Sequence, residues 1–426
     1  MNISIIGIGY TGLCTGVVFA SLGHRVIGVD VDEKKIGMIR NGVSPIFETG
    51  LEELLSKTLA EKSFEVTTDM KYAIKNSEIT FITVGTPSKD GKVDLRYVEK
   101  ASIDLGQALK DKENHIIIMK STVLPGTTEE ITKKIVEKIT GKKYAYAMNP
   151  EFLREGSALE DFLNSDSIII GSNDRKTAAK LEGLYKQFKA PIIHTDIKTA
   201  EMVKYARNAY LAKDISFANE IANICEKFKI DYLVVKNAMR YDPRIGEKSF
   251  LDAGVGFGGS CFKKDLEALI SASEEKGYEP RLLKETIDLN ERQKLRIVEL
   301  LEEHIGSVEN KRIGILGLAF KPGTDDIREA PSIKIIQELL KKGAIITVYD
   351  PKAMDNIKEI FADKIEYSTI DGCLNTDACL ILTQWVEFKG IDPEVKALIF
   401  DGRRALDPDK FRKIKKRYFG IGYPND

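Results

Sequence analysis

Cys261 stands in Gly256-Phe257-Gly258-Gly259-Ser260-Cys261-Phe262-Lys263-Lys264-Asp265, a glycine-rich turn running into a helix whose apolar stripe is Leu266, Leu269 and Ile270. A thiol in the first turn of that helix lies in the positive field of its N-terminus. With Lys263 and Lys264 adjacent, the thiolate is the favoured form. The glycines let the backbone adopt conformations closed to other residues and let a ligand approach it. Asp265 falls one helical turn beyond Cys261, on the same face, where a carboxylate can orient a proton or a water. Cys14, Cys225, Cys373 and Cys379 lie inside or beside apolar helices and strands and read as packing residues. Interconverting an alcohol and a carbonyl needs no thiol. Oxidising the resulting aldehyde again does use one: the thiolate adds to give a thiohemiacetal, oxidation gives a thioester, and water releases an acid.

Such chemistry needs a hydride acceptor, and the opening of the chain has the pattern of a dinucleotide site. An apolar strand over 3–8 leads into Gly7-Ile8-Gly9-Tyr10-Thr11-Gly12 and a helix through Val17, Val18 and Ala20. A second strand, 25–29, then ends in Asp30. The glycines allow a pyrophosphate to approach the helix N-terminus, and Asp30 can accept hydrogen bonds from a ribose 2′-hydroxyl. Asp30 would repel a 2′-phosphate, which favours NAD over NADP, with Lys35 a partial counterweight. Strands over 79–84 and 115–120 end in Gly85-Thr86-Pro87-Ser88 and Ser121-Thr122-Val123-Leu124-Pro125-Gly126. Thr86, Ser121 and Thr122 are therefore placed at the ligand edge of a parallel sheet, though a hydroxyl in a turn can equally be a cap, the preferred reading for Ser121. A strand over 145–148 enters Asn149-Pro150-Glu151-Phe152-Leu153-Arg154-Glu155-Gly156-Ser157-Ala158, where Glu151 is a general-base candidate.

From Thr199 the pattern turns helical. Residues 201–227 read as one helix with alanines at 206, 209, 212, 218 and 222 for close packing. Lys204 and Asn208 share a face of it. Lys204 is placed either to stabilise an oxyanion or, as helix lysines more often are, to be solvated. Further helices are expected over 231–240 and 281–304, and an all-helical middle commonly supplies a subunit interface. Near Lys311 a second strand, glycine loop, helix, strand and Asp350 echo the opening. Gly314-Ile315-Leu316-Gly317-Leu318-Ala319 lacks the third fingerprint glycine, so this half is read as taking another phosphorylated ligand. Lys321, Arg328, Arg403 and Arg404 are its loop cations. The basic run 410–417 reads as a solvated helix face. The fold class is thus α/β, with two Rossmann-like parallel-sheet domains, 1–198 and 307–426, joined by a helical region, 199–306, that carries the cysteine loop.

Composition narrows the class of partner. The 426 residues carry 64 Lys plus Arg against 65 Asp plus Glu, a balance that advertises neither nucleic acid nor an anionic membrane. Five cysteines without CxxC spacing exclude a disulfide framework and a zinc site, so no metal is expected and a reducing cytoplasm fits. The apolar run 3–22 lacks the basic leader of a signal peptide, and no apolar segment is long enough to span a bilayer.

The fingerprint 7–12, the loop 149–156 and above all Phe250-Leu251-Asp252-Ala253-Gly254-Val255-Gly256-Phe257-Gly258-Gly259-Ser260-Cys261 resemble the UDP-glucose dehydrogenase branch of the UDP-glucose/GDP-mannose dehydrogenase family, nearly end to end and in order. The resemblance implies an NAD domain, a central dimerisation region and a C-terminal UDP-sugar domain. It also implies reduction of two NAD⁺ per UDP-glucose converted to UDP-glucuronate. Cys261 would be the nucleophile, Lys204 the partner of the alkoxide, and Asp265 a helper of proton transfer. Glu151 and Thr122 would manage the water, and Asn208 would hold the sugar. Cofactor contacts would come from Gly7, Gly9, Tyr10, Thr11, Gly12, Asp30, Lys35, Thr86, Ser121, Thr122, Glu155, Lys264 and Arg328. Substrate contacts would come from Phe152, Leu153, Arg154, Lys204, Asn208, Phe250, Leu251, Gly254, Gly258, Lys321 and Arg404. Arg244 would reach into the site of a neighbouring subunit of a homodimer or larger oligomer. The same family chemistry on GDP-mannose or a UDP-N-acetylhexosamine is the nearest alternative. A two-electron hydroxyacid dehydrogenase would leave Cys261 without a task, and a non-catalytic NAD-binding protein would not need it.

Overall fold

The computed structural model describes residues 1–414 and 417–424. The chain divides into two compact units, Met1–Arg207 with Glu267–Lys276, and Asn208–Leu266 with Gly277–Asp426. Among the described residues, the first unit is built on an eight-stranded sheet. Its strands are β1 (Asn2–Ile6), β2 (Arg25–Val29), β3 (Phe64–Thr67), β4 (Ile79–Ile82), β5 (Ile116–Met119), β6 (Ala145–Met148), β7 (Ile168–Gly171) and β8 (Ile192–Thr195). They lie in the order β8-β7-β6-β5-β4-β1-β2-β3. β1 to β6 pair in parallel, β7 meets β6 antiparallel, and β8 runs parallel to β7. The central strands are buried along their length, as a sheet covered on both faces requires. Helix α1 (Tyr10–Ser21) packs on the sheet with Leu13, Cys14 and Val17 in the core.

The 31-residue helix α2 (Ile197–Lys227) starts four residues before the sequence pattern suggested. Ala209, Ala212, Ala218 and Ala222 are buried as expected, whereas Ala206 is exposed. The second unit continues with α3 (Tyr232–Arg240) and α5 (Arg281–Ile305), and α4 (Phe262–Glu275) begins in it and ends in the first unit. Its sheet contains β9 (Arg312–Leu316), β10 (Ile345–Tyr349), β11 (Glu366–Tyr367), β12 (Ala378–Ile381), β13 (Leu398–Asp401) and β14 (Tyr418–Gly420), in the order β11-β10-β9-β12-β13-β14. All of its pairs are parallel. The helical stretch 199–306 is shared between the two units. In the basic run, the helix covers Pro408–Lys413, and Lys415 and Lys416 lie outside the described residues. No helix among the described residues is long and apolar enough to cross a membrane.

One side chain of α2 organises a loop of the first unit. Glu201 is fully buried and accepts the Gly126 N–H at 2.5 Å, the Thr128 N–H at 2.9 Å and the Thr128 hydroxyl at 2.7 Å. These donors start the π-helical turn Thr128–Lys133, whose first N–H groups have no intrahelical acceptor. Glu201→Ala strands them, and a loss of about 1–3 kcal/mol is expected, read as a lower denaturant midpoint with an unchanged slope.

Candidate active site

The dinucleotide turn joins β1 to α1. Gly9 occupies the N-cap position, contributes no side-chain cap, and has open space where a Cβ would project. The first-turn amides of α1 are therefore left for an anion. A Cβ on Gly12 would lie 2.0 Å from the Gly7 carbonyl oxygen, so only glycine permits this approach of helix to strand. Asp30 ends β2 with its side chain 10% exposed. Its Oδ2 accepts the Ile8 N–H at 2.8 Å and the Lys35 ammonium at 3.1 Å, and its Oδ1 accepts the Asp32 N–H at 3.1 Å. An open helix terminus, a glycine approach and an oriented carboxylate fit a dinucleotide with a free ribose hydroxyl.

The echo in the second unit does not fit one. Asp350 is 1% exposed. Its Oδ2 accepts Leu318 N–H, Ala319 N–H and the Trp385 indole, while Oδ1 accepts Lys352 and Ala353 N–H. No acceptor capacity remains for a ribose, so this carboxylate is structural.

Beyond β4 and β5, Thr86 donates to the Thr122 carbonyl at 2.8 Å, and Ser121 donates to the Val84 carbonyl at 2.7 Å. Both hydroxyls tie one loop to the next, which for Ser121 is the turn role. Thr122 is half-buried. Glu151 and Lys204 form a buried ion pair at 2.9 Å, with side chains 12% and 5% exposed. Lys204 is thus not a solvated lysine. Burial pushes the Glu151 carboxyl up, but the Lys204 charge and hydrogen bond, the Leu153 N–H and Lys120 outweigh it and hold the group below its ordinary range. Phe152 covers the cations: its ring centroid is 5.5 Å from the Lys204 ammonium and 3.7 Å from the Arg207 guanidinium. Leu153 packs against the core, Arg154 is exposed and pairs with Asp161 at 2.5 Å, and Glu155 is half-buried.

In the second unit, Cys261 is exposed and immediately precedes α4. Its carbonyl accepts the Asp265 N–H at 2.9 Å, so the thiol is borne by the N-cap residue and not, as expected, by the first turn. The adjacent lysines are engaged: Lys263 contacts Glu329 at 3.1 Å and Lys264 contacts Asp265 at 2.5 Å. Asp265 is 1% exposed and also accepts from the Asn208 amide at 2.6 Å. The positive field at Cys261 is therefore that of the helix more than that of two bare ammoniums.

The loop before the cysteine is held by side-chain amides. Asn290 receives the Phe257 N–H at 2.7 Å and donates back to its carbonyl at 3.1 Å. Asn219 receives the Gly254 N–H at 2.7 Å, and Gln293 donates to the Gly254 carbonyl at 2.7 Å. Gly259 has φ +82° beneath the Phe320 ring. Three of the expected substrate contacts are also closely packed here. A Cβ on Gly254 would meet the Gly402 carbonyl oxygen at 2.6 Å and one on Gly258 the Glu329 carbonyl oxygen at 2.6 Å, so both glycines serve packing, and the Leu251 side chain belongs to the core. Phe250 and Lys321 are half-buried. Arg404 is clamped to Asp231 at 2.9 Å and 3.2 Å and lies over the Tyr423 ring, while Arg403 takes the place beside Gly254. Arg328 forms a forked pair with Asp326, and its carbonyl accepts the Gly259 N–H at 2.8 Å. Arg244 is 88% exposed.

Residues 1–189, 198–292 and 314–408 match, in order, the NAD binding, central and UDP binding domains of the UDP-glucose/GDP-mannose dehydrogenase family. The UDP-glucose 6-dehydrogenase TuaD of Bacillus subtilis is 43% identical, over 99% of this chain and 93% of that protein. The chain belongs to the UDP-glucose/GDP-mannose dehydrogenase family. Among solved structures, the UDP-glucose dehydrogenase of Pyrobaculum islandicum superposes with TM-score 0.94 at 40% identity, covering 99% of this chain and 97% of that one. A UDP-D-ManNAc dehydrogenase of Pyrococcus horikoshii gives 0.88 at 28%, with both chains fully covered. The enzyme is an NAD-dependent oxidoreductase that takes a nucleotide sugar.

Two buried groups of this dehydrogenase were not singled out in its sequence. Glu48 has no motif around it. Lys120 had a visible signal, a cation closing an apolar strand. It is 3% exposed, donates to Asn149 Oδ1 at 2.9 Å, and burial lowers its pKa from 10.5 to about 8. The unfolded chain thus binds an extra proton between those values, and stability gains with pH across that window. Lys120→Met removes this gain, so the difference in stability between wild type and variant should grow from pH 8 to pH 10.5. Glu151 has a dependence of the same sign in the acid range: its depressed pKa contributes stability that is complete above the ordinary carboxyl range and is lost as pH falls through the folded value. Lys204→Met strands its charge, and a loss of about 3–5 kcal/mol is expected at neutral pH by denaturant unfolding.

Proposed function

We propose that the protein oxidises C6 of UDP-glucose to the carboxylate of UDP-glucuronate in two successive two-electron steps. The observation that carries this reading is an exposed Cys261 at the N-cap of α4, backed by the buried Asp265 and Asn208. When bound, NAD⁺ supplies the hydride acceptor for each oxidation, held by the 7–12 turn, Asp30, Lys35, Thr86 and Glu155. The primary alcohol first loses its proton and a hydride to give the aldehyde. The Cys261 thiolate adds to that carbonyl, and the resulting thiohemiacetal loses a second hydride to give a thioester. Water then cleaves the C–S bond, yielding the acid and returning the thiol.

Lys204, desolvated beside Glu151, is a fixed cation suited to the alkoxide and to the tetrahedral oxyanion. Glu151, kept ionised by Lys204 and Lys120, is assigned with Thr122 to the hydrolytic water. Asp265 is assigned to moving the thiol proton and Asn208 to holding the sugar. The higher identity to the UDP-glucose enzymes than to the UDP-D-ManNAc enzyme favours glucose over an N-acetylhexosamine.

Residues 1–198 are assigned to the cofactor, 199–306 to dimerisation and the cysteine loop, and 307–426 to the UDP-sugar. A homodimer is proposed because Tyr210, Phe217 and Ile224 along α2 and Phe228 just after it leave an apolar stripe exposed, with Val234 and Tyr241 exposed at and just after α3. Arg244 is assigned to the partner's site. A working thiol requires a reducing compartment, hence the cytoplasm. Two NADH per UDP-glucose are expected from wild type, and Cys261→Ser should stop short of the acid. One NADH per sugar, unaffected by the substitution, would refute the thiol mechanism. Phe228→Glu with Tyr210→Glu should convert a dimer to monomers in sedimentation velocity, with the fold retained by circular dichroism.

A further inference from the structure

Glu48 is a carboxylate only 6% exposed, placed two residues before Gly50, which caps the helix Leu51–Ala60. Its Oε1 accepts the Ala158 N–H at 2.9 Å. Its Oε2 accepts the Gly156 N–H at 2.7 Å and the phenol O–H of Tyr10. The Gly156 N–H is also 3.0 Å from the Tyr10 oxygen. All three donors are neutral, so the carboxylate acts as a junction and not as half of an ion pair. Burial and then Glu48 itself push the Tyr10 phenol up from its ordinary pKa, which keeps it a donor at any physiological pH.

Two segments far apart in sequence meet on this carboxylate. Tyr10 is the first residue of α1, at the turn that receives the cofactor. Gly156 and Ala158 close the loop that carries Glu151, Phe152, Arg154 and Glu155. The other end of that loop is fixed separately: Asn149 accepts from Lys120 at 2.9 Å and from Tyr185 at 2.5 Å, and donates to the Ile169 carbonyl at 2.9 Å. A hydrogen-bonded route thus joins Tyr10 to one end of the loop, while the other end is held independently.

We propose that Glu48 is a positioning residue that couples cofactor occupancy of the dinucleotide turn to nucleotide-sugar affinity through the Asn149–Ala158 loop. The inference rests on the functional reading above. Each ligand must then raise the affinity for the other by the same factor.

NADH and UDP-glucose form a pair that cannot react, so the coupling is read by titrating UDP-glucose calorimetrically with and without saturating NADH. Wild type should bind the sugar about fivefold or more tightly with NADH present, and Glu48→Gln should bring that ratio to within about twofold of one. Tyr10→Phe, which keeps the ring and removes the donor, should do the same. Any change in NADH affinity alone cancels from the ratio, and Tyr10→Phe decides the matter if Glu48→Gln does not fold. An uncoupled wild type, or full coupling retained in the folded variants, overturns the role of Glu48. A wild type that binds neither ligand overturns the functional reading itself.

Discussion

The loops that carry the chemistry have no neighbouring strand to satisfy their backbone, and the structure depends on side chains that supply the missing partners. Glu201 receives the donors that open the π-helical turn after Thr122, Glu48 receives Gly156 and Ala158, and Asn290 pairs with both polar groups of Phe257. Each such group left unmet in a buried site costs about 1–3 kcal/mol. The side chains that meet them are amides and carboxylates on other elements, so loop geometry is set by tertiary packing and not by the loop's own residues.

A consequence is that the buried charged groups are held by partners that also tune them. Glu151 is ionised at neutral pH because Lys204 and Lys120 face it in a site where burial alone would favour the neutral acid. Lys204 is likewise a desolvated cation because Phe152 and Glu151 exclude water from it. Cys261 differs: it is exposed, stands at a helix N-cap, and has neighbouring lysines that are paired with Glu329 and Asp265. The thiol is thus reachable from solvent, with Asp265 and Asn208 buried beneath the helix start.

The two Rossmann-like halves show how one topology serves different ends. Both place an aspartate at the end of the second strand. Asp30 keeps a partly exposed edge next to an uncapped helix, whereas Asp350 is consumed by five donors, including the Trp385 indole. The third glycine missing from 314–319 pointed the same way, but the closure itself depends on Trp385, which lies 35 residues beyond Asp350.

The sequence by itself determined the α/β class, the strands β2, β6 and β10, the dinucleotide turn and the distinction of Cys261 from the four packed cysteines. These are local properties: apolar runs, glycine spacing and the residues flanking a turn. It did not disclose β3, β7 and β8, which are four-residue strands defined by pairing with distant partners. Nor did it show that Lys204 is buried, that Arg404 is clamped to Asp231, or that Gly254 and Gly258 serve backbone packing. Only the tertiary structure decided those, because burial, ion pairing and close approach are set by which distant segments meet, and a residue's type leaves both outcomes open.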